Sequence, residues 1–223
     1  MNRTLALLPL LVVLLAASPP IPPPTDGGCT CPVARLTNGW CHACEVGYIA
    51  SLPIKSEILF EALDPHGHEA DPTFMPCSEC KAALAAEALC KRHRIGFVGH
   101  KAYFSKLTYA LAKGEVREVS TITCERCKAN ALRHTVKPTT KPDAKTPAPD
   151  GWCDVCKIGM VGNVAFRKRE DFDLASAEFR KLIPAVKTAE RCGRCAYRQL
   201  YDGTCRVCGI SYRGGKRVRE IQP

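Results

Sequence analysis

Residues 39–50 have the sequence Gly-Trp-Cys-His-Ala-Cys-Glu-Val-Gly-Tyr-Ile-Ala, and residues 151–162 have the matching sequence Gly-Trp-Cys-Asp-Val-Cys-Lys-Ile-Gly-Met-Val-Gly. Residues 90–99 and 205–214 share the core of this pattern: two Cys or His positions three apart, followed three positions later by glycine or serine. In the copy that starts at residue 90, His93 stands where the other copies have their second cysteine. The chain therefore contains four copies of one short unit, which start at residues 41, 90, 153 and 205.

A further cysteine pair precedes each copy, and these pairs complete a set of metal ligands. Two sulfurs separated by two residues lie on one tight turn and bind one ion, while the glycine after the pair lets the backbone fold beneath it. The 15 cysteines and His93 supply four ligands for each of four tetrahedral sites, with none left over. The predicted ligands are Cys29, Cys31, Cys41, Cys44, Cys77, Cys80, Cys90, His93, Cys124, Cys127, Cys153, Cys156, Cys192, Cys195, Cys205 and Cys208.

Zinc is the metal that this ligand set favours. Cysteine and histidine together at this spacing suit zinc better than iron in a rubredoxin-like centre. The substitution of His93 for cysteine also argues against a disulfide framework, because a disulfide needs a second thiol whereas zinc accepts either side chain. A disulfide framework is the alternative, since an exported protein enters an oxidising compartment. We expect about four zinc ions in the chain.

The ligand pairs can combine into sites in two ways. We favour an adjacent register, because the cost of closing the long loop of its third site grows slowly with loop length. Its sites are Cys29/Cys31/Cys41/Cys44, Cys77/Cys80/Cys90/His93, Cys124/Cys127/Cys153/Cys156 and Cys192/Cys195/Cys205/Cys208. An offset register joins each pair to the pair about thirty residues later, and gives Cys41/Cys44/Cys77/Cys80, Cys90/His93/Cys124/Cys127 and Cys153/Cys156/Cys192/Cys195. The offset register leaves the terminal pairs stranded unless they bind each other.

The sequence from Cys192 to Gly209, C-G-R-C-A-Y-R-Q-L-Y-D-G-T-C-R-V-C-G, resembles the short zinc-ribbon family. The resemblance extends more loosely to residues 77–93 and 29–44, where nine residues also separate the two pairs. It implies a structural zinc and, commonly, a contact with a protein or nucleic acid, but no reaction. The offset register would instead resemble a treble clef, whose second pair opens a helix. Neither resemblance covers the whole chain.

The remaining pattern predicts a small metal-stabilised α+β fold of tandem zinc-ribbon-like knuckles with short hairpins and a few helices. Phe, Trp and Tyr together make only 7% of the chain, which favours several small units held together by cross-links over one large core. Short hairpins are expected to follow Gly96 and Gly159. Helices are expected over residues 56–63, 105–113 and 171–183, and Pro184 is expected to end the last one. Its apolar stripe, which should be core, consists of Phe172, Phe179, Leu182 and Ile183.

Two stretches divide the chain. Arg3 and the apolar run over residues 5–17 predict a secretory signal peptide over residues 1–18, and a Pro-rich spacer follows over residues 19–28. A Pro/Lys linker over residues 137–150 separates a front part, residues 29–136, from a back part, residues 151–223. We therefore expect an exported protein, periplasmic or secreted, with membrane anchoring by an uncleaved signal as the alternative.

The formal net charge of +10 overstates the attraction for polyanions. Removing Arg3, ionising fifteen thiols and adding four zinc ions leaves about +2. Nucleic acid is therefore a disfavoured partner, and we expect protein contacts. An anionic envelope or membrane surface stays open as a partner of the basic C-terminal cluster Lys216-Arg217-Arg219.

The W-C-x-x-C stretches that start at Trp40 and Trp152 raise the alternative of a thiol-disulfide oxidoreductase or a metal-trafficking protein. A thioredoxin-like site follows a buried strand, whereas Asn38-Gly39 and Asp150-Gly151 indicate turns. No serine-histidine-aspartate set, phosphate loop or paired carboxylates indicate another enzyme. The sequence therefore predicts an exported, non-enzymatic zinc-binding protein with a structural or protein-interaction role.

Overall fold

The computed structural model describes residues 29–134 and 151–218. The predicted signal peptide, Pro-rich spacer and Pro/Lys linker lie outside these residues. The described residues form a small α+β fold with seven α-helices and thirteen short strands. The helices are α1 (Cys31–Thr37), α2 (Glu57–Leu63), α3 (Ser78–Ala85), α4 (Lys106–Ala112), α5 (Glu125–Leu132), α6 (Arg169–Ala189) and α7 (Gly193–Tyr201).

The strands form four small antiparallel sheets, ordered β1-β2-β3, β4-β6-β5, β7-β10-β9-β8 and β11-β12-β13. The strands are β1 (Trp40–Cys41), β2 (Val46–Ile49), β3 (Leu52–Ile54), β4 (His68–Glu69), β5 (Gly96–Val98), β6 (Lys101–Tyr103), β7 (Glu115–Val116), β8 (Trp152–Cys153), β9 (Ile158–Val161), β10 (Val164–Phe166), β11 (Gly203–Thr204), β12 (Ser211–Arg213) and β13 (Lys216–Val218).

We call the tight turn that carries the second ligand pair of each repeat its knuckle. Each sheet contains the hairpin that follows one knuckle, so the four copies in the sequence correspond to four structural repeats. The hairpins expected after Gly96 and Gly159 are confirmed: Phe97 pairs with Ala102 in β5–β6, and Ala165 pairs with Met160 in β10–β9. Each hairpin begins within a few residues of a knuckle. The knuckle and hairpin thus form one local unit.

In three repeats a glycine of the hairpin lies against an aromatic ring of the following helix. A Cβ atom at Gly159 would lie 2.2 Å from Cδ2 of Phe172, so the ring occupies the space that a side chain would need. The ring and the glycine are thirteen positions apart in every case. The other two pairs are Gly47 with Phe60 and Gly96 with Tyr109. These contacts seat α2, α4 and α6 on their own hairpins.

The main hydrophobic core joins the front and back parts of the chain, rather than forming the separate small units that the composition favoured. It contains Leu59 of α2, Leu107 of α4, Phe166 of β10, Phe179 of α6 and Ala196 of α7. Strand β7 from the front part also pairs with β10 from the back part. The low aromatic content did not prevent a shared core, because residues from several repeats contribute to it.

The predicted helices over residues 56–63 and 105–113 are confirmed as α2 and α4. Ser56 and Ser105 cap them, each accepting a hydrogen bond from the backbone N–H three residues later. The predicted end of the third helix is wrong, because α6 continues through Pro184 to Ala189. Pro184 is exposed, so the carbonyl that loses its bond can face water, while the buried residues Leu182 and Ala185 keep the helix on the core.

The predicted apolar stripe of α6 is confirmed as core. Phe172, Phe179 and Leu182 are buried, and Ile183 packs against the same cluster while partly exposed. Within the described ranges, no helix is both long enough and apolar enough to cross a lipid bilayer.

Candidate metal centres

The structure brings the predicted ligands together in four groups, and these are the groups of the adjacent register. In each group the four ligand atoms lie within 4.8 Å of one another. The third group joins Cys124 and Cys127 to Cys153 and Cys156 across residues 137–150. The offset register is not adopted, because the pair Cys41/Cys44 lies with Cys29/Cys31 and not with Cys77/Cys80. We call these groups the first, second, third and fourth sites in chain order.

The spacing of the ligand atoms suits a tetrahedral ion. Metal-to-sulfur bonds of 2.3 Å in a tetrahedron separate two sulfurs by about 3.8 Å. The sulfurs of Cys29 and Cys41 are 4.0 Å apart, and those of Cys192 and Cys205 are 3.9 Å apart. The sulfurs of Cys29 and Cys44 lie closer together, at 3.1 Å. All fifteen cysteines, which fall within the described residues, are free thiols. Four groups could therefore each hold one metal ion.

Every site is built from a helix and a knuckle. The first pair opens a helix: Cys77, Cys124 and Cys192 are the N-cap residues of α3, α5 and α7, and α1 begins at Cys31. The second pair lies on the turn before a hairpin. Because the backbone N–H groups of a first helical turn have no partner within the helix, they lie ready to stabilise sulfur charge.

Hydrogen bonds lower the pKa of several first cysteines of these pairs. The Thr30 side chain, together with the Cys44 backbone N–H, lowers the pKa of Cys41 to about 6 despite its burial. The Cys127 backbone N–H lowers the pKa of Cys124 to about 7, and that of Cys208 does the same for Cys205. These thiols ionise easily, as thiol ligands of a metal ion must.

The second cysteine of several pairs has a raised pKa. The neighbouring sulfur of Cys29 raises the pKa of Cys44 to about 12, and burial raises the pKa of Cys80 and of Cys195 to about 12. Four sulfurs this close together cannot all carry charge without a counter-ion. A divalent cation at the centre would relieve that repulsion, so the donor set fits a metal.

The second site is the one with a histidine. Nδ1 of His93 lies 3.3 Å from the sulfur of Cys80 and 3.8 Å from that of Cys90. The imidazole therefore presents Nδ1 to the group. Cys90 is buried and His93 is exposed, so one side of this site faces solvent.

Tyrosine side chains contact two of the sites, which the sequence reasoning missed. The buried Tyr48 hydroxyl interacts with the Cys31 sulfur, and the Arg35 guanidinium lies 5.0 Å from the centre of the Tyr48 ring. Tyr212 makes the equivalent contact with Cys195 in the fourth site. The sequence contained a signal for these contacts, because both tyrosines directly follow the glycine or serine that ends the repeated pattern.

The two W-C-x-x-C stretches do not have the geometry of an exposed redox pair. Cys41 and Cys153 are each 0% exposed. The indole of Trp40 packs on Phe60 and that of Trp152 packs on Phe172. Both tryptophans therefore belong to the contact between a small sheet and the helix that packs on it. Comparison with protein-family models, with curated proteins and with solved structures finds no match.

Proposed function

We propose that this chain is an exported zinc protein in which four structural zinc ions hold tandem knuckles together, and whose surface contacts other proteins. One observation carries the proposal: sixteen ligand side chains form four groups of four and leave no cysteine unused. A catalytic zinc keeps an open coordination position, whereas four protein ligands fill the tetrahedron. The chemistry at each site is therefore structural.

Zinc is preferred over other metals because of the donor atoms. Three sites offer four sulfurs, and the second offers three sulfurs and an imidazole nitrogen. Thiolate and imidazole donors favour zinc over magnesium or calcium, which prefer oxygen. Iron is the competitor at the all-sulfur sites, and its strong visible absorbance distinguishes it.

Metal analysis tests this proposal. Protein isolated without chelator should contain about four zinc ions per chain, and its thiols should react only after chelation or acid treatment. Metal-free protein with no reactive thiols in denaturant would establish disulfides instead. Cys90→Ser should remove one zinc. His42→Ala is the control: this exposed histidine lies inside the first knuckle but is not in the ligand group, so all four zinc ions should remain.

Export is the second part of the proposal, and the apolar run over residues 5–17 supports it. The mature chain should be recovered from the periplasm or medium with its N-terminus near residue 19. A chain that keeps residues 1–18 and sediments with membranes would favour anchoring by an uncleaved signal.

A thiol-disulfide oxidoreductase or metal-trafficking protein is the competing function. Exchange at a W-C-x-x-C pair needs an accessible first sulfur, and the burial of Cys41 and Cys153 argues against exchange that starts at these two residues. We expect no catalysed disulfide reduction above that of a free dithiol. Turnover that Cys41→Ser or Cys153→Ser abolishes would replace the structural proposal.

A further inference from the structure

An apolar groove lies beside the second site. It has a volume of about 470 Å³, and the predicted ligands Cys77, Cys80 and His93 are among its lining residues. We call it the second-site groove. It lies between Phe74, Met75, Ile95, Phe97, Ala102 and Phe104.

Two phenylalanines on this groove are exposed. Phe74 is 85% exposed and Phe104 is 58% exposed, whereas Phe97 at its base is 1% exposed. Single exposed apolar residues are ordinary, but two large rings on one concave apolar surface form a contiguous patch. Such a patch is typical of a surface that another molecule covers.

The groove is acidic although the chain is basic. Glu69 and Asp71 line it, none of its lining residues is Lys or Arg, and the chain as a whole has 32 Lys and Arg against 22 acidic residues. Nζ of Lys101 lies 4.0 Å from Oε1 of Glu69, whose side chain stays 81% exposed. A zinc ion held by three thiolates and one neutral imidazole adds a further negative charge. A cationic occupant is therefore complementary.

The backbone beside the groove can bind an extended chain. Strand β4, at His68–Glu69, is the outer strand of the sheet ordered β4-β6-β5 and pairs with β6 alone among the described strands. Both of its residues are exposed. An edge strand offers unpaired N–H and C=O groups to a peptide that adds to the sheet.

From these three observations we propose that the second-site groove binds an extended segment of a partner protein, one that carries a large apolar side chain beside Lys or Arg residues. The apolar side chain enters between Phe74 and Phe104, and the cationic side chains face Glu69 and Asp71. This inference rests on the proposed function, because zinc at the second site would fix one wall of the groove.

Fluorescence anisotropy with labelled peptides tests this proposal on the zinc-loaded chain. The probe is Lys-Leu-Phe-Lys-Leu-Lys, compared with Glu-Leu-Phe-Glu-Leu-Glu and Lys-Ser-Gly-Lys-Ser-Lys. Only the first should bind. Phe74→Ser and Glu69→Lys should each weaken its binding by about fivefold or more. Val155→Ser is the control, because Val155 is 78% exposed and lies on the third site.

Several results would overturn the proposal. If Lys-Ser-Gly-Lys-Ser-Lys binds as tightly as Lys-Leu-Phe-Lys-Leu-Lys, the binding depends on surface charge alone. If the wild type and Phe74→Ser bind the probe equally, the groove is not the binding site. Binding that requires deletion of residues 19–28 would assign the groove to the chain's own spacer. A dimer that Phe74→Ser dissociates would assign it to a second copy. A chain that holds four zinc ions but binds no peptide would contradict this inference and leave the proposed function standing. A chain isolated without zinc would contradict the proposed function itself.

Discussion

Replacing Gly159 with alanine tests the packing of helix on hairpin that recurs in three repeats. The new Cβ atom would lie 2.2 Å from Cδ2 and 2.3 Å from Cγ of Phe172, and 2.8 Å from Cε3 of Trp152. Carbon atoms in contact lie about 3.5–4.0 Å apart, so the ring must move by more than 1 Å. Contact with Cγ means that rotating the ring about its own axis does not relieve the clash.

The expected cost follows from overpacking. Forcing a methyl group into a filled core costs about 1–3 kcal/mol, which for a chain of this size lowers Tm by about 2–12 °C. Backbone strain adds nothing, because Gly159 is not among the described glycines with positive φ. Calorimetry at a fixed free zinc concentration measures the shift, since zinc binding itself raises Tm.

A second substitution separates the clash from other effects. Phe172→Ala removes the ring and should cost about 3–5 kcal/mol by itself. Adding Gly159→Ala to Phe172→Ala should then cost much less than Gly159→Ala alone, because only the contact at 2.8 Å with Cε3 of Trp152 remains. Gly39→Ala is the control, since its Cβ would meet chiefly the movable Thr37 hydroxyl. Additive losses in the double variant, or an unchanged Tm for Gly159→Ala, would refute the packing argument.

Three further predictions concern the sites and pH. Exchanging His93 for cysteine should retain four zinc ions, while His93→Ala should speed metal release to a chelator; equal release rates for both variants and wild type would remove His93 from the ligands. Tyr48→Phe and Tyr212→Phe should each weaken one zinc site by about 10–100-fold, measured by competition with a chromogenic chelator, and should leave the other sites unchanged. Burial lowers the pKa of His134 below 6.5, so the unfolded chain binds more protons there and stability should fall as pH drops below about 6.5. In His134→Phe this part of the pH dependence of Tm should disappear, and an unchanged profile would contradict it.

Much of the candidate sites followed from spacing alone. A pair such as Cys205 and Cys208 can approach one ion only through a tight turn, and an aligned His93 makes sense for a metal but not for a disulfide. The choice between registers depended on the third site, which closes over residues 137–150. The small cost of closing this loop argued only weakly for the adjacent register, and the structure was needed to place Cys127 beside Cys153.

Other features depended on tertiary packing that local patterns do not specify. Pro184 signals a helix end, yet buried contacts on either side of it extend α6. The shared core was missed because its members come from repeats distant in sequence. The contact between Gly47 and Phe60 was visible as a spacing of thirteen, but a glycine and an aromatic residue at one spacing become informative only when three repeats are compared.

The third site differs from the others in how far apart its halves lie along the chain. Nine residues separate the two pairs of the first, second and fourth sites, and 25 separate those of the third. The extra loop-closure entropy is only about 1 kcal/mol, so the difference acts on folding kinetics more than on final stability. The first, second and fourth sites each take all four ligands from one part of the chain, whereas the third takes Cys124 and Cys127 from the front part and Cys153 and Cys156 from the back part. Metal at the third site would therefore cross-link the front and back parts of the chain, whereas metal at each other site would stabilise one part only.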